Sequence, residues 1–159
     1  MNETHGILIF GPNGAGKTTL ARELARLLDY KHMDIEDYAF APSELPYTNP
    51  RSRDECTALM RADIEIHRQF VLSAVTGAFG AEIERHYKLA VHLTAPKDLR
   101  MRRLEQRGVD ADFLAWAAVR DLSHIDKFAQ TLACPVIQID NTQDWRIAAQ
   151  QLKEKLYAS

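Results

Sequence analysis

The sequence predicts one three-layer α/β domain over residues 1–159, a mostly parallel five-stranded sheet with helices on both faces. Three observations predict it. Five short apolar runs alternate with segments of helical period, the pattern of a parallel sheet covered on both sides. Four of the seven glycines, Gly6, Gly11, Gly14 and Gly16, crowd the first sixteen residues, directly around the first apolar run. At 159 residues with 46% hydrophobic and 26% charged side chains, the chain is long enough for a sizeable core and ordinary in composition for one domain.

Each element has a local reason. Ile7 to Phe10 is an uninterrupted apolar run and predicts the first strand. After the glycine-rich turn, Leu20, Leu24, Leu27 and Leu28 share one helical face. Lys31 to Ile35 predicts a second strand. Half of the six prolines fall between Ala41 and Pro50, which predicts an extended loop. Leu59, Ala62, Ile66 and Phe70 step at helical spacing, and Phe70 to Val75 reads as a strand. Leu89 to Leu93 is a fourth strand, followed by an arginine-rich helix. Val119, Leu122, Ile125, Ala129 and Leu132 line a later helix. Val136 to Ile139 is the fifth strand, and Trp145, Ala148, Leu152 and Leu156 line the last helix. Trp116 and Trp145 are expected to anchor helices to the sheet. No repeat, low-complexity stretch or linker divides the chain.

Composition excludes several classes. A net charge of −2 gives no general attraction to nucleic acid or to an anionic membrane. The two cysteines, Cys56 and Cys134, form neither a CxxC pair nor a disulfide framework, as suits a reducing cytoplasm, and are expected to pack. The six histidines lack metal-ligand spacing, and there is no GxSxG nucleophile elbow. MNETHGILIF has no basic segment before its apolar run, and no apolar run approaches the roughly 20 residues needed to span a bilayer. A cytoplasmic protein is expected, a monomer or small homo-oligomer with no nucleic-acid or membrane partner.

The chemistry concentrates in residues 11–18, GPNGAGKT, a full match to GxxxxGK[ST] between a strand and a helix. Gly11, Gly14 and Gly16 let the loop, which also holds Pro12, Asn13 and Ala15, wrap a phosphate with N–H groups pointing inward, and the following helix adds the positive end of its dipole. Lys17 can reach the β- and γ-phosphates, the Thr18 hydroxyl can ligate Mg²⁺, and Thr19 follows in the first helical turn. ATP and Mg²⁺ are the expected ligands. GPNGAGKTT also occurs in ABC-transporter ATPases, but the chain has no LSGGQ-like signature. It has no DxxG, and Asn141-Thr-Gln-Asp144 lacks the lysine of NKxD, which excludes a GTPase.

With those set aside, the layout resembles the adenylate kinase and shikimate kinase branch of P-loop phosphotransferases. The resemblance implies a three-layer α/β/α P-loop NTPase fold with strand order 2-3-1-4-5. It implies ATP-dependent phosphoryl transfer to a small molecule. The second strand ends HMDIEDY, similar to the acidic-x-acidic pair of shikimate-type kinases. That likeness makes Asp34 and Glu36 candidates, one helping to place Mg²⁺ and the other meeting the acceptor hydroxyl. Alternation along a strand would turn both to the same side. In TAPKDLRMRRLEQR, Arg100, Arg103 and Arg107 lie on one helical face, and RLEQR resembles the RxxxR that opens an adenylate kinase lid. Arg103 and Arg107 are the phosphate-contacting candidates, with a short lid around 107–120 and Arg120 returning to the phosphates. IDNTQDW resembles the turn beside the adenine, which nominates Asn141 and Thr142.

The chain departs from the adenylate kinase pattern at Ser73, where an acid is expected, so the metal leans on Thr18 and Asp34. Arg51, Arg53, Arg61, Ser73 and Thr76 are the acceptor-side candidates. The acidic pair points to a hydroxyl acceptor, and Arg51 with Arg53 to one that carries its own negative group. A nucleoside monophosphate kinase and a nucleotide switch with slow ATPase activity are the alternative readings.

Overall fold

The computed structural model describes residues 3–142 and 144–158. Its five strands are β1 (His5–Phe10), β2 (Lys31–Asp34), β3 (Gln69–Ala74), β4 (Tyr87–Thr94) and β5 (Val136–Asp140). Between and after them run α1 (Lys17–Leu28), α2 (Ile35–Ala39), α3 (Arg53–His67), α4 (Ala81–Glu84), α5 (Lys97–Gln106), α6 (Ala111–Val119), α7 (Ser123–Thr131) and α8 (Trp145–Ala158). All strand pairs are parallel, in the order β2-β3-β1-β4-β5. This is the expected three-layer α/β/α P-loop fold.

Strand alternation explains the two cores. Ile7 and Ile9 of β1 face α1 and α8, packing with Leu20, Leu24, Ala149 and Leu152. Leu8 and Phe10 face the other way, among Met60, Ile64, Ile125 and Phe128 of α3 and α7. Both faces of β1 are therefore dry, and each fully buried aliphatic or aromatic side chain contributes about 1.5–3 kcal/mol. On the second face the Phe10 ring stacks on His92 at 4.8 Å and meets Phe128 edge-on at 5.3 Å.

Four expectations need correction. The second strand stops at Asp34, and Ile35 opens α2, because the Asp34 carboxylate caps that helix by accepting from the Glu36 N–H at 3.1 Å. Glu36 is therefore helical, and strand alternation does not account for its direction. The buried face of α3 is Cys56, Met60 and Ile64. Leu59 is 40% exposed and Ile66 72% exposed, and Phe70 belongs to β3. Two apolar stripes compete on this helix, and the one that meets the sheet wins. The apolar row from Val119 to Leu132 is broken into two helices. Arg120 takes an extended conformation after α6, Val119 is 81% exposed, and Ile125 and Phe128 anchor α7. Trp116 does not anchor α6 to the sheet. It is 48% exposed, tilted against Phe113 at 5.5 Å and covered by the Arg120 guanidinium at 4.7 Å.

The loop from Ala41 to Pro50 closes on itself as a strap. Phe40 bridges Pro50, the Ala41 N–H donates to Asn49 O at 2.8 Å, and the Arg51 N–H donates to Ala39 O at 2.8 Å. Among the described residues no helix is long and apolar enough to cross a membrane.

Candidate active site

The C-terminal ends of the strands lie side by side, since Phe10 pairs with Ala74 and His92, Asp34 with Ser73, and Thr94 with Asp140. Loops leaving these ends therefore share one crevice, where the strand order reverses around β1. The glycine-rich loop leaves β1 and runs into α1 at Lys17. Gly16, the residue before α1, is left-handed at φ 95°, and Gly14 has φ 83°. Glycine is the residue that tolerates such angles, and at Gly14 a Cβ would also stand 2.5 Å from the Arg100 carbonyl oxygen. The Ala15 N–H donates back to Pro12 O at 3.2 Å and closes the turn.

The loop is braced from behind by three side chains far along the chain. Arg103 Nη1 donates to Gly14 O and Ala15 O, each at 3.2 Å, and its Nη2 donates to Asn141 O at 2.7 Å. Asn141 is buried and donates its amide to Ala15 O at 3.0 Å. Arg100, also buried, donates to Ala95 O at 3.1 Å and Asn13 O at 3.4 Å. The carbonyls of Asn13 and Ala15, held by these donors, belong to the peptides whose N–H groups are those of Gly14 and Gly16, the two loop residues that line the cavity, whereas the Ala15 N–H is used within the turn. Arg120 joins the loop from the far end of α6, donating to Asn13 Oδ1 at 3.0 Å.

In front of the loop lies a cavity of about 580 Å³. Its walls bring together Gly14, Gly16, Lys17, Thr18 and Thr19 with Asp34, Glu36, Arg103, Arg107 and Asn141. Lys17 lies back along the loop, Nζ donating to Pro12 O at 3.0 Å. Burial of the ammonium, helped by the nearby Arg107 charge, pushes its pKa down to about 8, while Glu36 and Asp34 pull the other way. Burial and then the Asp34 charge hold the Glu36 carboxyl above its ordinary range.

The oxygen set fits a small hard cation. Thr18 offers a hydroxyl, and Asp34, whose Oδ1 is taken by the Glu36 N–H, keeps its second carboxylate oxygen. No cluster of three or more His, Cys, Asp or Glu side chains suited to hold a metal by itself occurs among the described residues. A cation here would have to share its coordination with phosphate oxygens and water.

Other sequence candidates lie elsewhere. Gly11, Pro12, Asn13 and Ala15 form the loop itself without lining the cavity, and Thr142 is exposed beside it. None of Arg51, Arg53, Arg61, Ser73 and Thr76 lines the cavity. Arg51 Nη1 donates to the carbonyls of Asp37, Tyr38 and Phe40 at 2.9, 3.2 and 3.1 Å. Arg53 donates to Ala78 O at 2.6 Å, Arg61 pairs with Glu82 at 3.7 Å, and Ser73 Oγ shares a hydrogen bond with His32 Nε2 at 3.2 Å.

The cavity also takes in Arg22, Tyr47, Gln106 and Trp145, which sequence reasoning did not assign to it. Arg22 stands one turn after Thr18, and Gln106 three residues after Arg103, so helical spacing could have found both. Trp145 was expected to anchor α8; it instead lines the cavity, with the Arg146 guanidinium 4.6 Å from its ring centre. Tyr47 comes from the strap, which carries no periodic signal.

The family model described as AAA domain matches residues 7–112. No curated protein matches the sequence. Solved structures with a similar fold include shikimate kinase from Acinetobacter baumannii in complex with shikimate. It is 21% identical, with a TM-score of 0.67 over 99% of this chain and 95% of that one. Shikimate kinase from Bacteroides thetaiotaomicron is 20% identical, with a TM-score of 0.62 over 96% and 98%. A gluconokinase from Sinorhizobium meliloti is 15% identical, with a TM-score of 0.57 over 99% and 98%.

Proposed function

The chain belongs to the AAA domain family, whose model matches residues 7–112, and from that premise we propose that it is an ATP-dependent phosphotransferase acting on a small hydroxyl-bearing molecule. One observation carries this reading. The phosphate loop with Lys17 and Thr18, and the carboxylates Asp34 and Glu36, line a single cavity. A nucleotide switch needs the first set; the carboxylates beside it support an attacking group that must give up a proton, which a hydroxyl acceptor does.

In this reading the loop N–H groups and Lys17 hold the β- and γ-phosphates, and Arg107 comes in from the end of α5. Bound Mg²⁺ would supply charge neutralisation between the phosphates, held by Thr18 and Asp34. Arg103 acts through the loop it braces. Glu36, whose proton affinity is raised by burial and by Asp34, accepts the proton of the attacking hydroxyl. Residues 107–120 close as a lid and exclude water, drawing on the Arg120 to Asn13 bond already made. Support from the similar structures is that their names include a shikimate kinase and a gluconokinase, on acceptors that bear hydroxyls.

Product analysis with Mg-ATP tests the reading, using Asp34→Asn and Glu36→Gln beside the unaltered chain. Each change should cut transfer to a hydroxyl acceptor by roughly 100-fold, the scale of general base catalysis. Conversion of a nucleoside monophosphate to its diphosphate at undiminished speed in both variants would replace this reading with a nucleotide kinase.

A further inference from the structure

Arg120, Asp121 and Leu122 join α6 to α7, and the Arg120 guanidinium has partners on three sides. Its Nη1 donates to Asn13 Oδ1 in the phosphate loop at 3.0 Å. Its Cζ lies over the Trp116 ring, 4.7 Å from the centre. Its Nη2 lies 3.0 Å from Nε2 of His124, in the first turn of α7. A guanidinium is a donor only, so at this contact Nε2 has to be the acceptor. The His124 ring is therefore neutral and carries its hydrogen on Nδ1.

Arg120 does not line the cavity, yet its charge acts on the buried Lys17 ammonium. What holds Arg120 in place thus bears on the phosphate site. We propose that His124 is a positioning residue for the phosphate loop: as a neutral imidazole it holds Arg120 on Asn13, and as an imidazolium it loosens that hold. The proposal rests on the ATP-binding part of the reading above and on no particular acceptor.

The physical reason is that one proton removes the contact and replaces it with repulsion. An imidazolium has two N–H donors and no acceptor, and it would face the permanent charge of Arg120. The other charged groups around the ring are Asp121 and Lys127. The Asp121 carboxyl is held below its ordinary range by two hydrogen bonds from Ser123 and then by the charges of His124 and Lys127. His124 is exposed, so the proton reaches it from water with the fold intact. Exposed contacts of this kind are weak, so the effect is graded and not all-or-none.

Two measurements test this. Long-range ¹⁵N spectra of the histidine rings read the tautomer. At pH 8 the His124 ring should carry its hydrogen on Nδ1, and Arg120→Ala should return it to the Nε2–H form that a free imidazole prefers. An Nε2–H ring in the unaltered protein overturns the proposal and leaves the phosphotransferase reading intact. The second measurement is the calorimetric Kd for Mg-ATP, at pH 8 and at the pH where the spectra show the His124 imidazolium. High salt screens the long-range pull of the new charge on ATP. His124→Gln keeps a neutral acceptor throughout, so every other titration cancels between it and the unaltered chain. On acidification the Kd of the unaltered chain should rise about threefold more than that of His124→Gln. His124→Lys, with a fixed charge, should bind about threefold more weakly than His124→Gln already at pH 8. An equal or smaller rise in the unaltered chain overturns the proposal. Mg-ATP binding by none of the three proteins removes the reading of the loop and the proposal together.

Discussion

The side-chain amide of Asn141 donates to the main-chain oxygen of Ala15 at 3.0 Å, across 126 residues of sequence. The end of β5 thus clamps the phosphate loop at the end of β1, although another strand, β4, lies between them in the sheet. Asn141 also accepts from Arg103 on its own carbonyl, so one buried residue ties α5, β5 and the loop together.

Replacing Asn141 with alanine leaves the Ala15 carbonyl with the shared Arg103 bond alone. Stability to denaturant should fall by about 1–3 kcal/mol, the cost of a weakened buried polar group. ATP affinity should fall with it, because the loop loses its rear support. A variant that unfolds and binds ATP as before would show that the clamp is idle.

Arg103 and Arg107 should separate, although one helical face carries both. Arg103→Ala removes the donor to three carbonyls and should cost about 2 kcal/mol of stability together with ATP affinity. Arg103→Lys restores the charge without the planar fork and should recover only part. Arg107→Ala should leave stability within ~0.5 kcal/mol, as exposed substitutions do, and reduce kcat by roughly tenfold or more. Thermal unfolding and turnover, measured on the same samples, check the contrast.

Lys17 makes nucleotide binding depend on pH in a stated direction. Its pKa in the free protein is pushed down to about 8, so near that pH the amine is about half protonated. Phosphate oxygens stabilise the ammonium and raise the pKa, so binding at pH 8 must take up about half a proton. Affinity is fullest below that pH and falls as pH rises above it. Calorimetry in two buffers of different ionisation enthalpy reads the uptake. Lys17→Met should abolish it and cut turnover by roughly a hundredfold.

Trp145 lines the cavity and Trp116 does not. With Trp116→Phe, the remaining tryptophan should change its emission when Mg-ATP is added. With Trp145→Phe, the signal from Trp116 should stay nearly constant. Equal responses from both variants would mean that the nucleotide does not approach Trp145.

Local chemistry made much of this protein legible in one dimension. The strand-loop-helix unit from Ile7 to Leu28 depends on neighbours in sequence, because apolar runs, φ-tolerant glycines and helical period are all short-range properties. All five strands were readable for the same reason, to within a few residues at their ends. Asp34 and Glu36, singled out in the sequence, both line the cavity, although the capping bond of Asp34 turns Glu36 into a helix and removes the alternation argument that had aligned them.

Side-chain assignments that depended on a partner were decided only by tertiary structure. The rotation of α3, which buries Met60 and exposes Ile66, is set by the sheet beneath it. The sequence shows that Arg51, Arg53 and Arg103 are cations, and not which acceptor each will find. Folding gave Arg51 and Arg103 three carbonyls apiece and gave Arg53 the oxygen of Ala78, while Arg107 was left lining the cavity. A guanidinium is satisfied by any well-placed oxygen, and main-chain oxygens are positioned by the fold rather than by residue identity. For that reason the sequence by itself determined the phosphate-binding loop and the sheet that carries it. The division of the arginines between scaffold and cavity came only from the packed chain.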